Sequence, residues 1–312
     1  MTLNEKVADW IDGQGYPLEL KVAEAVRASN GWWDHGRVYT DLESGKVREI
    51  DVMAVFRTTD ERRGATLQLI IECKHTRDKP WVIFTTDDHV LSAQGYVSAL
   101  PHTERVRARL RQASEMSETQ RVSALAAPER EGFRLVKAMT PAQDTAYQAT
   151  GTLVGAGRSL AAHMSAASDA EIVFVPVLVI DGPLFEAFLA PGAERLTVQP
   201  ASTATLVQPM GNGDRMPIKV VTFEALTDYL AEVATSAKVL GGLLGSVLAR
   251  ARSKPSAVTV RSRRTAPPDV GTHRQHIAQR PRDYRTPSPA PVPRRELFAV
   301  LDVAAPTPCP RS

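Results

Sequence analysis

The feature that most constrains this chain is residues 67–74, a nearly continuous apolar run that ends in two opposite charges. No glycine or proline interrupts the run, so it predicts a β-strand that is buried between two covering layers. Because side chains alternate across a strand, Glu72 and Lys74 are expected on the same face as Ile70. A carboxylate and an ammonium group therefore leave the end of a core strand together.

A second predicted strand, residues 47–56, carries a carboxylate inside an apolar run. Alternation places Asp51 on the face of Met53, with Ile50 and Val52 on the opposite face. Burying an ionised carboxylate without a partner is costly, so a cation, a metal ion or several hydrogen bonds should lie beside it. A divalent metal ion would satisfy both strand carboxylates at once.

A third acidic residue lies on a predicted helix that begins at Pro17 and stops at residues 30–31. Proline is well suited to the first turn of a helix, and the asparagine–glycine pair ends it. With about 100° of rotation per residue, Glu19 flanks the apolar stripe of this helix, whereas Glu24 faces solvent. Glu19 is therefore the acid on this helix that can reach a site on the sheet.

These charges also have an ordinary interpretation. Charged residues are common at strand ends, where Glu72 and Lys74 can form a simple ion pair at the solvent boundary. Glu19 can equally be a solvated residue of an amphipathic helix. Both interpretations stay open on the residues alone.

The remaining patterns predict an α/β chain in three parts. Residues 1–100 hold the helix and strands described above, preceded in the sheet by a first strand predicted at residues 37–41. A turn at residues 44–46 joins this first strand in a hairpin to the strand that carries Asp51. Residues 101–250 add helices and strands that pack on the same core. They include an apolar strand at 171–180 and a short helix after it. That short helix is predicted at residues 184–189.

The third part of the chain is residues 251–312. This last part contains 12 Lys and Arg against 4 Asp and Glu, and 11 of the 22 prolines follow Lys254. Apolar periodicity is lost there, so a disordered basic tail is predicted. Such a tail would bind nucleic acid through phosphate charge, or would dock protein partners.

Cysteine usage and hydropathy restrict the class of protein further. The two cysteines, Cys73 and Cys309, argue against a disulfide framework and against a structural zinc site. The N-terminus lacks the pattern of a signal peptide, and the most apolar run, residues 239–249, is too short to span a bilayer. We therefore expect a cytoplasmic protein without a membrane anchor.

The order of the charged residues resembles that of the PD-(D/E)XK nuclease superfamily, which has the restriction-endonuclease-like fold. The resemblance covers residues 15–84 and depends on Glu19 of the early helix, on Asp51 and on the motif at residues 72–74. Each motif is short, and their combination on apolar strands is more specific than any one of them. Ile50 stands where a proline often precedes the aspartate, a position that varies widely in the superfamily.

The resemblance implies a mixed central sheet flanked by helices, followed here by a further α+β region and the tail. It implies that Asp51, Glu72 and the backbone carbonyl of Cys73 bind Mg²⁺, with Mn²⁺ as a substitute. Lys74 would polarise the attacking water and stabilise charge on the phosphate. Glu19 would support the metal or orient Lys74.

The function expected from these residues is metal-dependent hydrolysis of phosphodiester bonds in DNA, with RNA as an alternative substrate, in defence or repair. A second hypothesis is a nucleic-acid-binding protein that keeps the fold without cleaving. A third is an interaction scaffold, in which the strand charges form an ordinary ion pair and the tail recruits partners.

Overall fold

The computed structural model describes residues 1–57, 65–76, 79–115, 125–139, 145–211 and 213–253. The predicted tail lies outside the described residues, apart from residues 251–253. Those three residues are helical and belong to the last helix, so the helix extends past the predicted boundary. None of the described helices is long and apolar enough to cross a membrane.

The described residues form six α-helices and ten strands. The helices are α1 Leu3–Asp12, α2 Tyr16–Ala28, α3 Ala93–Ala99, α4 Glu104–Glu115, α5 Thr145–Ala167 and α6 Leu226–Ser253. The strands are β1 Trp32–Thr40, β2 Val47–Arg57, β3 Thr66–His75, β4 Trp81–Thr86, β5 Glu131–Lys137, β6 Ile172–Asp181, β7 Leu184–Phe188, β8 Thr197–Ala201, β9 Thr203–Pro209 and β10 Arg215–Thr222.

The strands of the described residues form one mixed sheet, in the order β1-β2-β3-β6-β10-β9-β5-β4-β7-β8. β1, β2 and β3 follow one another as antiparallel neighbours, and β6 then returns parallel to β3. A parallel return requires a crossover connection, and α5 lies directly before β6 and packs against it. The predicted class, a mixed α/β sheet flanked by helices, is confirmed.

Helices cover both faces of the sheet around β3 and β6. On one face α2 and α6 pack over Leu69, Ile71 and Cys73 of β3. On the other face α5 packs over Ile70 of β3 and Phe174 of β6. Both strands are buried from two sides, which explains why their sequences are continuous apolar runs rather than alternating ones. Each buried Leu or Ile contributes about 1.5–3 kcal/mol relative to an exposed side chain.

The helix that carries Glu19 forms for local reasons. Pro17 occupies its first turn, where a missing N–H costs nothing, and Asn30 ends it with a φ of +58°, which asparagine tolerates. Leu18, Val22 and Val26 are buried against the sheet. Since Glu19 follows Leu18, it lies at the border of the buried stripe, as the helical spacing predicts.

The helix predicted at residues 184–189 is wrong, because residues 184–188 form strand β7. β7 pairs in parallel with β4 and antiparallel with β8. Its buried residues Leu184 and Ala187 are three apart, a spacing that also fits one face of a helix. Hydrogen bonds to strands on both sides override this local preference.

Gly132 joins the two halves of the sheet, because β5 meets β9 where Gly132 lies opposite Leu206. A Cβ atom at this position would lie 2.5 Å from Cδ1 of Ile83 and 2.8 Å from the carbonyl oxygen of Thr205. We expect Gly132→Ala to lower the free energy of unfolding by about 1–3 kcal/mol, since the backbone of Thr205 is held in the sheet. Chemical denaturation measures this difference.

Gly151 in α5 is the matched control for this substitution. A Cβ atom there would meet nothing within 4 Å. Gly151→Ala is therefore expected to leave stability unchanged or to raise it by up to about 1 kcal/mol. Equal losses in the two variants would show that the close approach at Gly132 is not the cause.

Candidate active site at the end of the β2–β3 ladder

The ladder between β2 and β3 stops one residue before the two strand carboxylates. Its last pair is Val52 with Ile71, and the next pair in the same register would be Asp51 with Glu72. On its other side β3 stays paired with β6 as far as His75. The edge of β3 that faces β2 therefore opens at the level of Glu72.

The β1–β2 ladder is interrupted at the same level. Gly36 is the register partner of Asp51, but the ladder omits this pair and resumes on both sides of it. Gly36 has a φ of +65°, in the left-handed region that glycine enters without strain. The break in the pairing is therefore built into both strands of the hairpin.

The break changes which face the following side chains occupy. Ile50 packs with Met53 in the core layer under α5, whereas Val52 packs in the opposite layer under α2 and α6. The prediction that Ile50 and Val52 share a face is therefore wrong. Strict alternation cannot hold across a residue whose neighbours in the ladder are unpaired, and Asp51 is that residue.

The Asp51 side chain accepts a hydrogen bond that a backbone carbonyl oxygen would accept in a continuous ladder. Its Oδ2 accepts a hydrogen bond from the N–H of Cys73 at 2.7 Å. Its carbonyl oxygen lies 3.1 Å from Nδ1 of His35, which must donate because a carbonyl oxygen can only accept. Burial raises the pKa of Asp51, and the bond from Cys73 partly offsets this rise.

Glu72 and Lys74 form an ion pair on the open edge. Nζ of Lys74 donates to Oε1 of Glu72 at 2.6 Å. The Lys74 side chain is 27% exposed and the Glu72 side chain is 10% exposed. Burial and the charge of Asp51 raise the pKa of Glu72. Burial opposes protonation of Lys74, but the adjacent Glu72 outweighs it, so the pKa of Lys74 is raised and the amine stays charged.

Glu19 lies in the same electrostatic environment from the side of α2. It is half-buried, and burial followed by the charge of Asp51 raises the pKa of its carboxyl group. His35 and Lys74 act in the opposite direction. The charges on the strands therefore affect the pKa of Glu19, although no hydrogen bond to another described residue holds its carboxylate.

Cys73 contributes its backbone rather than its thiol. In an antiparallel arrangement the N–H and C=O of one residue face the same neighbouring strand. Since the N–H of Cys73 binds Asp51, its carbonyl oxygen faces that side as well. The thiol lies in the core layer under α2 and α6, where burial raises its pKa well above the ordinary value. It therefore stays protonated.

Sequence reasoning missed His35 and Glu49 as neighbours of these acids. The charges of both affect the pKa of Glu19 and of Asp51. Nε2 of His35 is buried and has no hydrogen-bond partner among the described residues. The signal was available in the hairpin register, which places His35 opposite Val52. The predicted first strand began after His35, so the histidine was not included.

The atoms at this edge that could bind a metal ion are oxygens: those of the Asp51 and Glu72 carboxylates and of the Cys73 carbonyl. Among the described residues, no group of three or more His, Cys, Asp and Glu side chains is arranged to hold a metal ion. The donor types nevertheless suit Mg²⁺, which is usually held by one or two carboxylates and keeps several waters. Each carboxylate has one oxygen engaged, by Cys73 or by Lys74, and a second oxygen to offer.

Comparison with family models, with curated proteins and with solved structures finds no significant match to this chain. The resemblance of its motifs to the PD-(D/E)XK superfamily therefore stays a prediction.

The raised pKa of Asp51 leads to a prediction about stability. Between its ordinary pKa of 3.8 and the raised value, the native state binds more protons than the unfolded chain, so stability falls as the pH rises. Asp51→Asn keeps an acceptor for the N–H of Cys73 and removes this loss. In EDTA we expect its Tm to exceed that of the wild type by about 2–4 °C at neutral pH and by less near pH 4. Thermal melts across this range measure the difference.

Asp41 is a control with the opposite sign. Hydrogen bonds from the side chain and backbone of Ser44 lower the pKa of its carboxyl group. Its charge therefore stabilises the native state at neutral pH, and Asp41→Asn is expected to give no gain in Tm. A gain of equal size in both variants would trace the effect to net charge rather than to the site.

Proposed function

We propose that this chain is a metal-dependent nuclease of the restriction-endonuclease-like type that hydrolyses phosphodiester bonds in DNA. The observation that carries the proposal is the open edge of β3. There the Asp51 carboxylate and the Glu72–Lys74 pair meet where β2 leaves the ladder. Acids with raised pKa values beside a charged amine are more typical of functional sites than of ordinary surfaces.

Asp51, Glu72 and the carbonyl of Cys73 would hold the metal ion in this proposal. A bound Mg²⁺ lowers the pKa of water and neutralises charge on the phosphate. Asp51 has its orientation set by the hydrogen bond from Cys73, and Glu72 has its orientation set by Lys74. The ligands are therefore held in place before a metal ion binds, which lowers the cost of binding.

Lys74 would act as a fixed positive charge and not as a base. Its pKa is raised, so the amine stays protonated and can donate to an attacking water and to a phosphate oxygen. Glu72 anchors it within hydrogen-bond distance. Glu19, half-buried on α2, would orient Lys74 or support the metal through water.

DNA is the substrate that the resemblance favours, with RNA as the alternative. A cytoplasmic location and a role in defence or repair are parts of this proposal. The basic residues 251–312 would add affinity for nucleic acid without sequence readout, or would dock protein partners. The competing proposals are a protein of the same fold that binds nucleic acid without cleaving it, and an interaction scaffold.

A cleavage assay tests the catalytic roles. Purified protein is incubated with plasmid, linear and single-stranded DNA and with RNA, in Mg²⁺, Mn²⁺ or EDTA. We expect cleavage that requires the metal and that falls at least about 100-fold in Asp51→Asn, which removes the charge of a metal ligand, and in Lys74→Gln, which removes a charge that acts on the phosphate. Lys46→Gln, at an exposed position of the β1–β2 turn, is the matched control.

The assay also separates the competing proposals. Binding of nucleic acid without cleavage by the wild type would favour the inactive protein of the same fold. If the wild type neither binds nor cleaves nucleic acid, the interaction scaffold is favoured. Cleavage that survives both substitutions would show that the nuclease site lies elsewhere on the chain.

Glu19 and Glu24 lie on the same helix and allow a paired test of the supporting role. Glu24 is exposed and bonds Arg27, so it serves as the control. We expect Glu19→Gln to weaken Mn²⁺ binding or activity by about 10–100-fold, the usual effect of losing a residue that supports metal ligands. Titration of Mn²⁺ by electron paramagnetic resonance measures binding. Equal behaviour of Glu19→Gln and Glu24→Gln would remove Glu19 from the site.

A further inference from the structure

A second charged cleft lies at the other end of the sheet. It measures about 720 Å³ and is bounded by the segment before α3, by α3 and α4, and by the turn between β9 and β10. Its charged and titratable lining residues are His102, Arg107, Arg111, Asp214 and Arg215. Three arginines thus face one aspartate, and the cleft carries net positive charge.

The cleft is far from the acidic edge of β3. Glu72 pairs with Leu178 of β6, whereas Arg215 begins β10 at the level of Val173, beside which His102 forms a bridge. Five residues along a strand separate these levels by about 16 Å. The arginines therefore do not belong to the candidate active site.

The arginines of α4 differ in how they are used. Arg105 and Arg109 form ion pairs with Glu171, which link α4 to the residue before β6. Arg107 bonds the exposed Glu104 one turn earlier, which is a weak surface pair. No ion pair or hydrogen bond of the Arg215 guanidinium involves another described residue. Arg215 is also half-buried and lines the cleft.

His102 lies in the cleft beside Arg107. Its Nδ1 lies 2.6 Å from the carbonyl oxygen of Leu100, and its Nε2 accepts from Nε of Arg107 at 3.4 Å. This pattern fixes a neutral imidazole with the proton on Nδ1. Burial is the main cause that lowers the pKa of His102; the hydrogen bond to Leu100 opposes it, and the charges of Arg107 and Arg111 lower the pKa further.

We propose that this cleft binds the phosphate group of a ligand through Arg107 and Arg215, with Arg111 beside them adding positive charge. Guanidinium groups bind phosphate oxygens with paired, charge-assisted hydrogen bonds. Apolar side chains beside them, among them Leu91 and Met210, can contact the organic part of the ligand. The phosphate belongs to a free nucleotide or to a nucleic-acid strand. Because the cleft is remote from Asp51 and Glu72, the proposal holds whether or not the chain cleaves DNA.

Binding to the full chain in EDTA tests the proposal without contributions from a metal-bound active site. Inorganic phosphate, a nucleoside monophosphate and a single-stranded DNA oligonucleotide are titrated separately by calorimetry. We expect Arg107→Gln and Arg215→Gln each to weaken phosphate-dependent binding about tenfold, since each removes a charge-assisted contact. The exposed Arg195 lies outside the cleft, and Arg195→Gln changes net charge equally.

The three probes identify the source of the phosphate. If the substitutions weaken binding of phosphate and the monophosphate, the ligand is a free phosphate compound. If they weaken binding of the oligonucleotide alone, the cleft holds a nucleic-acid strand. Residues 251–312 are present in every variant, so a contribution from them to DNA binding is the same in all of them. The proposal is overturned if none of the probes binds, or if Arg195→Gln weakens binding as much as the two cleft variants.

Discussion

The hydrogen bond from the N–H of Cys73 to the Asp51 carboxylate is the contact on which the candidate site depends. A buried peptide N–H needs a partner, and β2 no longer supplies a backbone oxygen at this level of β3. The Asp51 side chain replaces it. The same bond holds a carboxylate beside Glu72 and Lys74 and turns the carbonyl of Cys73 toward it. One break in a β-ladder therefore produces the geometry of the site.

Among the described residues, acids outnumber positively charged side chains at this edge. Glu19, Asp51 and Glu72 bring three acids together with Lys74, and burial is the main reason that each acid has a raised pKa. Such an arrangement costs stability, whereas a simple structural ion pair would need one acid only. The excess of acid is what a divalent cation would relieve, and this is the physical link between the fold and the proposed chemistry.

The sheet keeps its two charged regions apart. The acids lie where β3 and β6 approach their C-terminal ends, and the arginine-lined cleft lies near the start of β6 and β10. Helices bury both faces of the strands between them, so each region sits at an end of a rigid element. A phosphate ligand at one end and a metal-dependent reaction at the other would not compete for the same surface.

The sequence by itself determined the elements that carry the acids. The apolar runs predicted β2 and β3, and the spacing of Leu18, Val22 and Val26 predicted the helix that presents Glu19, because such patterns follow from burial on one or two faces. Tertiary structure decided β7, whose pairing with β4 and β8 overrode a helical spacing. It also decided the end of the β2–β3 ladder, the face of Ile50 and the presence of His35 beside the acids. These features depend on hydrogen bonds between strands that are distant in the chain, and local sequence patterns cannot predict such bonds.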